Sequence, residues 1–121
     1  MLPENWPDFT KTLSTALRDL RAGSPDVMKT FSSMAQAALA PKALDTKTKE
    51  LIALAIGVST RCDDCIAFHA KAAVEQGATD EELAETLAMA VYMGAGPSVM
   101  YASHAFQAVK QFSELKKAKE G

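Results

Sequence analysis

Apolar positions along this chain recur every three or four residues, a period that predicts helices from end to end. Phe9, Leu13, Leu17 and Leu20 stripe a first helix, expected from about Trp6 to Ala22 and ended by Gly23. Ser24, Pro25 and Asp26 open a second, with serine as cap and proline in the first helical position. Val27, Phe31, Met34 and Ala38 form its expected buried side, and Pro41 stops it. A third helix is expected from Asp45 or Thr46 to about Thr60. Its Leu51, Ile52, Leu54, Ile56 and Val58 leave so little polar surface that it should be buried on most sides. A fourth, Asp63 to Gln76, has two acids at its positive end and Gly77 at its close. Thr79 and Glu82 form a capping box for a fifth, which carries Leu83, Leu87, Met89, Val91 and Met93. Gly94-Ala95-Gly96-Pro97 should break it. A sixth helix would then run from about Ser98 to Ala118, with Val99, Phe106, Val109 and Phe112 inward. The tail KKAKEG should be solvated and frayed. Alanine is abundant and β-branched runs are absent, which favours helix. The expected fold is therefore all-α, an orthogonal bundle of about six helices in one domain spanning residues 1–121.

One stretch departs from plain amphipathic helix. Residues 50–69 read ELIALAIGVSTRCDDCIAFH and hold both cysteines, one of the two histidines, and an acid in an apolar run. If the chain is helical from Asp63, then Cys62, Cys65 and His69 fall within an arc of roughly 60° on one face. Asp64, Lys71 and Glu75 take the opposite, wet face. Side chains three apart on a helix sit about 5–6 Å from one another, near enough for a disulfide. Glu50 would lie about 18 Å from Cys62 along one straight helix, so the chain must turn near Thr60 and Arg61. Folded back as a hairpin, Glu50 and His69 reach the same level. The expected order from inside outward is Glu50, His69, Cys65, Cys62. Gly57 lies on the Glu50 face, where it would let another helix come close.

The spacing Glu-x11-Cys-x-x-Cys-x-x-x-His, met here as Glu50, Cys62, Cys65 and His69, resembles the AhpD-type alkylhydroperoxidase branch of the carboxymuconolactone decarboxylase family. The resemblance runs on to GAGPSVMYASHA, covering roughly residues 40 to 112. It implies an AhpD-like fold with the redox motif on a helical hairpin. It implies Cys65 as the peroxidatic thiol, Cys62 as the resolving one, and His69 with Glu50 as a proton relay. It further implies a lipoyl-type dithiol as reductant and assembly as trimers, or as hexamers built as trimers of dimers. The best-known peroxidase members carry histidine just before the second cysteine, where this chain has Asp64.

Composition narrows the function classes. A net charge of −2 with no basic face argues against nucleic acid. No apolar run approaches the ~20 residues needed to span a membrane, and MLPENWPDF does not read as a signal peptide. A cytoplasmic protein is expected, and there a lone close-spaced cysteine pair is more often catalytic or metal-binding than structural. The surplus of apolar positions on the third and fifth helices, in a chain that is 48% hydrophobic, predicts a homo-oligomer. The first two helices read as a lid or packing arm, the six methionines as core filler, and His104 as a packing or interface residue with a lesser claim on the cleft.

The chemistry these residues supply is a dithiol–disulfide cycle. The thiolate is the reactive form, and His69 is one turn from Cys65 and nearly two from Cys62. That favours Cys65 as the thiol that meets a small hydroperoxide. The helix N-terminus favours Cys62 instead, as in thioredoxin-like motifs. The attacked thiol becomes a sulfenic acid, its neighbour condenses with it, and an external dithiol resets the pair. No cofactor is required. Four rival readings use the same residues differently: a general thiol–disulfide oxidoreductase, a zinc site of Cys62, Cys65, His69 and Glu50, a decarboxylase acting on a lactone acid, and a non-catalytic oligomer with a structural disulfide.

Overall fold

A helix starts cleanly where a side chain can satisfy its first free amides. In the computed structural model, which describes residues 2–120, this happens at four of the five helix starts. Asn5 Oδ1 accepts the Asp8 amide at 2.8 Å and begins α1, Trp6–Gly23. Asp45 Oδ1 accepts the Thr48 amide at 2.7 Å and begins α3, Thr46–Ser59. The expected capping box begins α5, Asp80–Glu120: Thr79 Oγ1 accepts the Glu82 amide at 3.1 Å, and Glu82 Oε1 accepts the Thr79 amide at 2.8 Å. Lys47 Nζ also reaches Glu82 Oε2 at 2.8 Å, tying α3 to the start of α5. That lysine first, and the Thr79 amide next, hold the Glu82 carboxyl below its ordinary value. The expected serine cap of α2, Pro25–Leu39, is not made: the Ser24 side chain bonds no helix amide, and the helix opens on Pro25 alone. Cys62 caps α4, Asp63–Glu75, its Sγ accepting the Cys65 amide at 3.2 Å.

The described residues are all-helical, with five helices where six were expected. At the expected break the helical backbone is interrupted by one residue, Ala95, at φ 52° and ψ −134°, and helix resumes at once, so the fifth and sixth expected helices form one kinked element. A Cβ on Gly94 would collide with the Ser98 side chain. The bend therefore needs a residue without one at that position. Helix continues to Glu120, so the expected frayed tail is ordered as far as the described residues go. Met1 and Gly121, the ends of the expected single domain, lie outside them.

The centre is the α3–α4 hairpin with α5 laid across it. Leu54 and Val58 of α3, Ile66, Ala67, Ala70 and Ala73 of α4, and Leu83, Leu87, Ala105 and Ala108 of α5 are buried together. Trp6 closes one side, fully buried. Its backbone amide donates to Gln111 Oε1 at 2.6 Å and its Nε1 to Gln107 Oε1 at 3.1 Å. The α3–α4 turn falls where expected, with Arg61 at φ 57° and the Cys62 amide bonded to Gly57 O at 3.0 Å. Gly57 allows the close approach: a Cβ there would sit 3.2 Å from Cys65 Cβ.

Several expected faces differ. Helix α2 contacts only α1 and α3 and buries no residue, and Val27, Phe31, Met34 and Ala38 are all exposed. Phe9, Leu13 and Leu17 are half-buried rather than core, and Leu20 is exposed. Helix α3 is covered on most sides as expected, with Ile52 and Ile56 exposed on the remaining one. On α5, Val109 and Phe112 point inward but Val99 and Phe106 do not, because alanines 102, 105 and 108 form the packed face. Small residues there let three helices meet closely, and the bulky residues turn outward. Met34, Met89, Met93 and Met100 are exposed and fill no core.

Gly57→Val should cost about 2–3 kcal/mol of stability, the range for overpacking a tight contact. Urea denaturation of reduced and oxidised protein would measure it, and a loss below about 0.5 kcal/mol would mean the hairpin contact is looser than described.

Candidate active site

The hairpin brings together the four residues singled out by spacing. Glu50 lies in the second turn of α3 and His69 in the second turn of α4, and because the helices run antiparallel they face each other. His69 Nδ1 is 2.7 Å from Glu50 Oε1. The Glu50 side chain is 8% exposed and that of His69 33%. A buried carboxylate is costly unless hydrogen-bonded, and the imidazole meets that need. A carboxylate facing an imidazole nitrogen accepts, so Nδ1 carries the proton and Nε2 keeps its lone pair.

Cys62 and Cys65 are joined in a disulfide, with Cα atoms 5.2 Å apart. They come together because Cys62 is the cap and Cys65 the third residue of α4. A cavity of about 770 Å³ opens beside them, walled by α1 and α2 on one side and by α4 on the other. Cys65, Phe68 and His69 form its floor, and Leu13, Leu17 and Phe31 line the facing wall. Cys62 does not line it. Glu50 thus meets His69, and His69 shares the cavity floor with Cys65. With the two sulfurs bonded to each other, this oxidised state offers no thiolate to a metal ion. No cluster of three or more His, Cys, Asp or Glu suited to a metal ion occurs among the described residues.

Two features were not read from the sequence. One is the cavity wall, built by half-buried Leu13 and Leu17 of α1 and by exposed Phe31 of α2, helices expected only as a lid or packing arm. The other is His104, which does not line this cavity but bonds Asp63, 2.8 Å from its Nδ1 to Oδ1. Asp63 stands between the cysteines, so the one signal available was an acid inside the C-x-x-C and a second histidine far along the chain. No helix among the described residues is long and apolar enough to cross a membrane.

Comparison with known proteins now bears on this geometry. A model of the carboxymuconolactone decarboxylase family matches residues 25–108. An uncharacterised protein of Cupriavidus necator is 44% identical over 86 residues, 71% of this chain and 76% of that one. A protein of the cox locus of Paracoccus denitrificans, also uncharacterised, is 35% identical over 92 residues, 76% of this chain and 83% of that one. The crystal structure of a carboxymuconolactone decarboxylase family protein from Legionella pneumophila, in its apo form, superposes with a TM-score of 0.87. It is 52% identical, over 89% of this chain and 96% of that one. A family protein from Thermotoga maritima, described with a suggested part in an antioxidative response, superposes with a TM-score of 0.82 at 30% identity. That match covers 93% of this chain and 96% of the other.

Nitrogen NMR of His69 should show the proton on Nδ1 and an unprotonated Nε2 wherever the ring is neutral. Glu50→Gln should weaken that tautomer preference, and an unchanged spectrum would mean that the 2.7 Å contact does not orient the ring.

Proposed function

The chain belongs to the carboxymuconolactone decarboxylase family, and from that premise we propose that it reduces hydrogen peroxide or small organic hydroperoxides, as antioxidant defence, through Cys62 and Cys65. The reading takes residues 1–121 as one AhpD-like domain and Glu50, Cys62, Cys65 and His69 as its catalytic residues. The observation that carries it is the Glu50–His69 contact at 2.7 Å, set beside a cysteine pair whose inner member faces the same cavity. A structural disulfide has no need of a buried acid and an oriented base next to it. A suggested antioxidative part for the Thermotoga maritima relative agrees with this reading.

In the reduced protein, His69 Nε2 accepts the Cys65 proton, and Glu50 stabilises the imidazolium through Nδ1–H. The Cys65 thiolate attacks the distal oxygen of the hydroperoxide. A sulfur–oxygen bond forms, the oxygen–oxygen bond breaks, and the alkoxide leaves with the proton held by His69. The Cys62 thiolate then attacks the sulfenic sulfur. The disulfide forms, and hydroxide departs with a proton as water. One hydroperoxide is reduced to alcohol and water, and two thiols are oxidised to the disulfide. An external dithiol, of lipoyl type by the family resemblance, returns the pair to thiols by exchange. A cytoplasmic setting, where thiols are kept reduced, suits that cycle.

The reading includes a homo-oligomer, a trimer or a hexamer of the trimer-of-dimers type. Ile52 and Ile56 on α3, with Met89, Tyr92 and Met93 on α5, are large apolar side chains left exposed, and burying them against another copy would be favourable.

Reduced protein should consume about one equivalent of hydroperoxide, and continue only when a dithiol is supplied. With a sulfenic-acid trap, Cys62→Ser should give adduct on Cys65, and Cys65→Ser little or none. Consumption absent with every donor, while disulfide exchange persists, would move the assignment to a general thiol–disulfide oxidoreductase. Turnover of a lactone acid instead would move it to a decarboxylase.

Sedimentation at micromolar concentration should give a trimer or hexamer, and a monomer would overturn the assembly.

A further inference from the structure

The turn that carries the cysteines is held by a second carboxylate–imidazole pair. Asp63, the first residue of α4, has its Oδ1 2.8 Å from His104 Nδ1 on α5. The two side chains are only 25% and 19% exposed. Tyr101, one turn before His104, sets its ring centroid 4.8 Å from that of the imidazole. The contact bridges 41 positions of sequence. Neither Asp63 nor His104 lines the cavity floored by Cys65 and His69.

The charges around Cys62 make this pair consequential. Asp63 follows Cys62 directly in the chain, and a carboxylate beside a thiol opposes its ionisation. Asp64, exposed, adds to that effect, and Arg61, also exposed, works against it. Glu50 from α3 is engaged with His69, and Arg21 from α1 lies across the cavity. From α5 the facing groups are His104 and Tyr101. His104 is therefore the group bonded to the carboxylate nearest Cys62 in sequence, and a proton on its Nδ1 draws the charge of Asp63 to itself.

We propose that His104 is a positioning residue for the dithiol: by holding Asp63, it keeps that carboxylate from suppressing the reactivity of Cys62. This rests on the redox reading of the Cys62–Cys65 pair, but not on peroxide as the oxidant. The step served is exchange with the reducing dithiol. One thiolate of the donor attacks Cys62 Sγ, the protein disulfide breaks, and Cys65 leaves as a thiolate that His69 can protonate. The second donor thiolate attacks the donor sulfur now bonded to Cys62, and Cys62 leaves as a thiolate. The donor ends as a disulfide, both cysteines end reduced, and two protons pass from donor to protein. The last departure is easier when no bare carboxylate faces Cys62.

The test uses Cys65→Ser protein, in which Cys62 is the sole thiol, and reads its alkylation by iodoacetamide against pH. Adding His104→Gln should slow alkylation at neutral pH about fivefold and move the midpoint of the profile upward. Adding Asp63→Asn to that variant should restore the rate to within about twofold, because the opposing charge is gone. Circular dichroism melts run alongside would report any loss of folding. A merely structural His104 predicts the opposite pattern, with the double substitution as slow as the single one or slower. That outcome, or an alkylation profile indifferent to His104→Gln, overturns the proposal. Because the assay contains no peroxide, its result stands apart from whether the protein is a peroxidase.

Discussion

Gly57 has no side chain, and so α3 and α4 approach until a Cβ there would lie 3.2 Å from Cys65 Cβ. Almost everything else about the site follows from that proximity. Two antiparallel helices this close bring Glu50 opposite His69, although they are 19 residues apart in sequence. The same contact presses Cys65 against α3 on one side and leaves its other side to the cavity. Around the hairpin, Leu54, Val58, Ile66 and Ala70 are fully buried, so the acid–base pair is backed by rigid packing rather than by loop.

Much of this was legible because it is local. The Glu50-to-His69 spacing, one turn near Thr60 and helical periodicity on both sides suffice to place the four residues. Asp45, Thr79 and Glu82 were legible for the same reason: a cap reports its own position. What the pattern could not supply was which apolar face meets which neighbour. Phe31 and Met34 occupy ordinary helical positions on α2, yet they are exposed, since α2 leans only on α1 and the start of α3. Val99 and Phe106 looked like core by hydrophobicity. The inward face of that helix belongs instead to alanines, whose value lies in being small. The break at Gly94–Pro97 was visible as composition, but whether the chain stops or merely bends there is decided by one residue, Ala95. The Asp63–His104 bond joins residues on different helices with no local signature, and no period along either helix announces it.

The site also has a consistent polarity. At its inner end Glu50 is covered, His69 is partly open, and the cysteines stand at the helix cap where backbone amides concentrate positive potential. One carboxylate–imidazole pair lies behind the sulfurs and another at the cap. Each of these two acids, Glu50 buried and Asp63 partly exposed, has an imidazole rather than a lysine or arginine as its hydrogen-bond partner.

Trp6 joins the beginning of the described chain to its last helix. It is fully buried, bonded to Gln107 and Gln111, while Gln111 Nε2 donates in turn to Glu4 O at 3.1 Å. During synthesis the ribosome releases Trp6 about a hundred residues before these glutamines. Helix α1 therefore emerges before the partners it docks on, and the α3–α4 hairpin can pair its helices while α1 still waits. Until α5 clears the exit tunnel, Trp6 lacks its glutamine partners, and Cys62 and Cys65, both on the hairpin, can meet before the fold has closed.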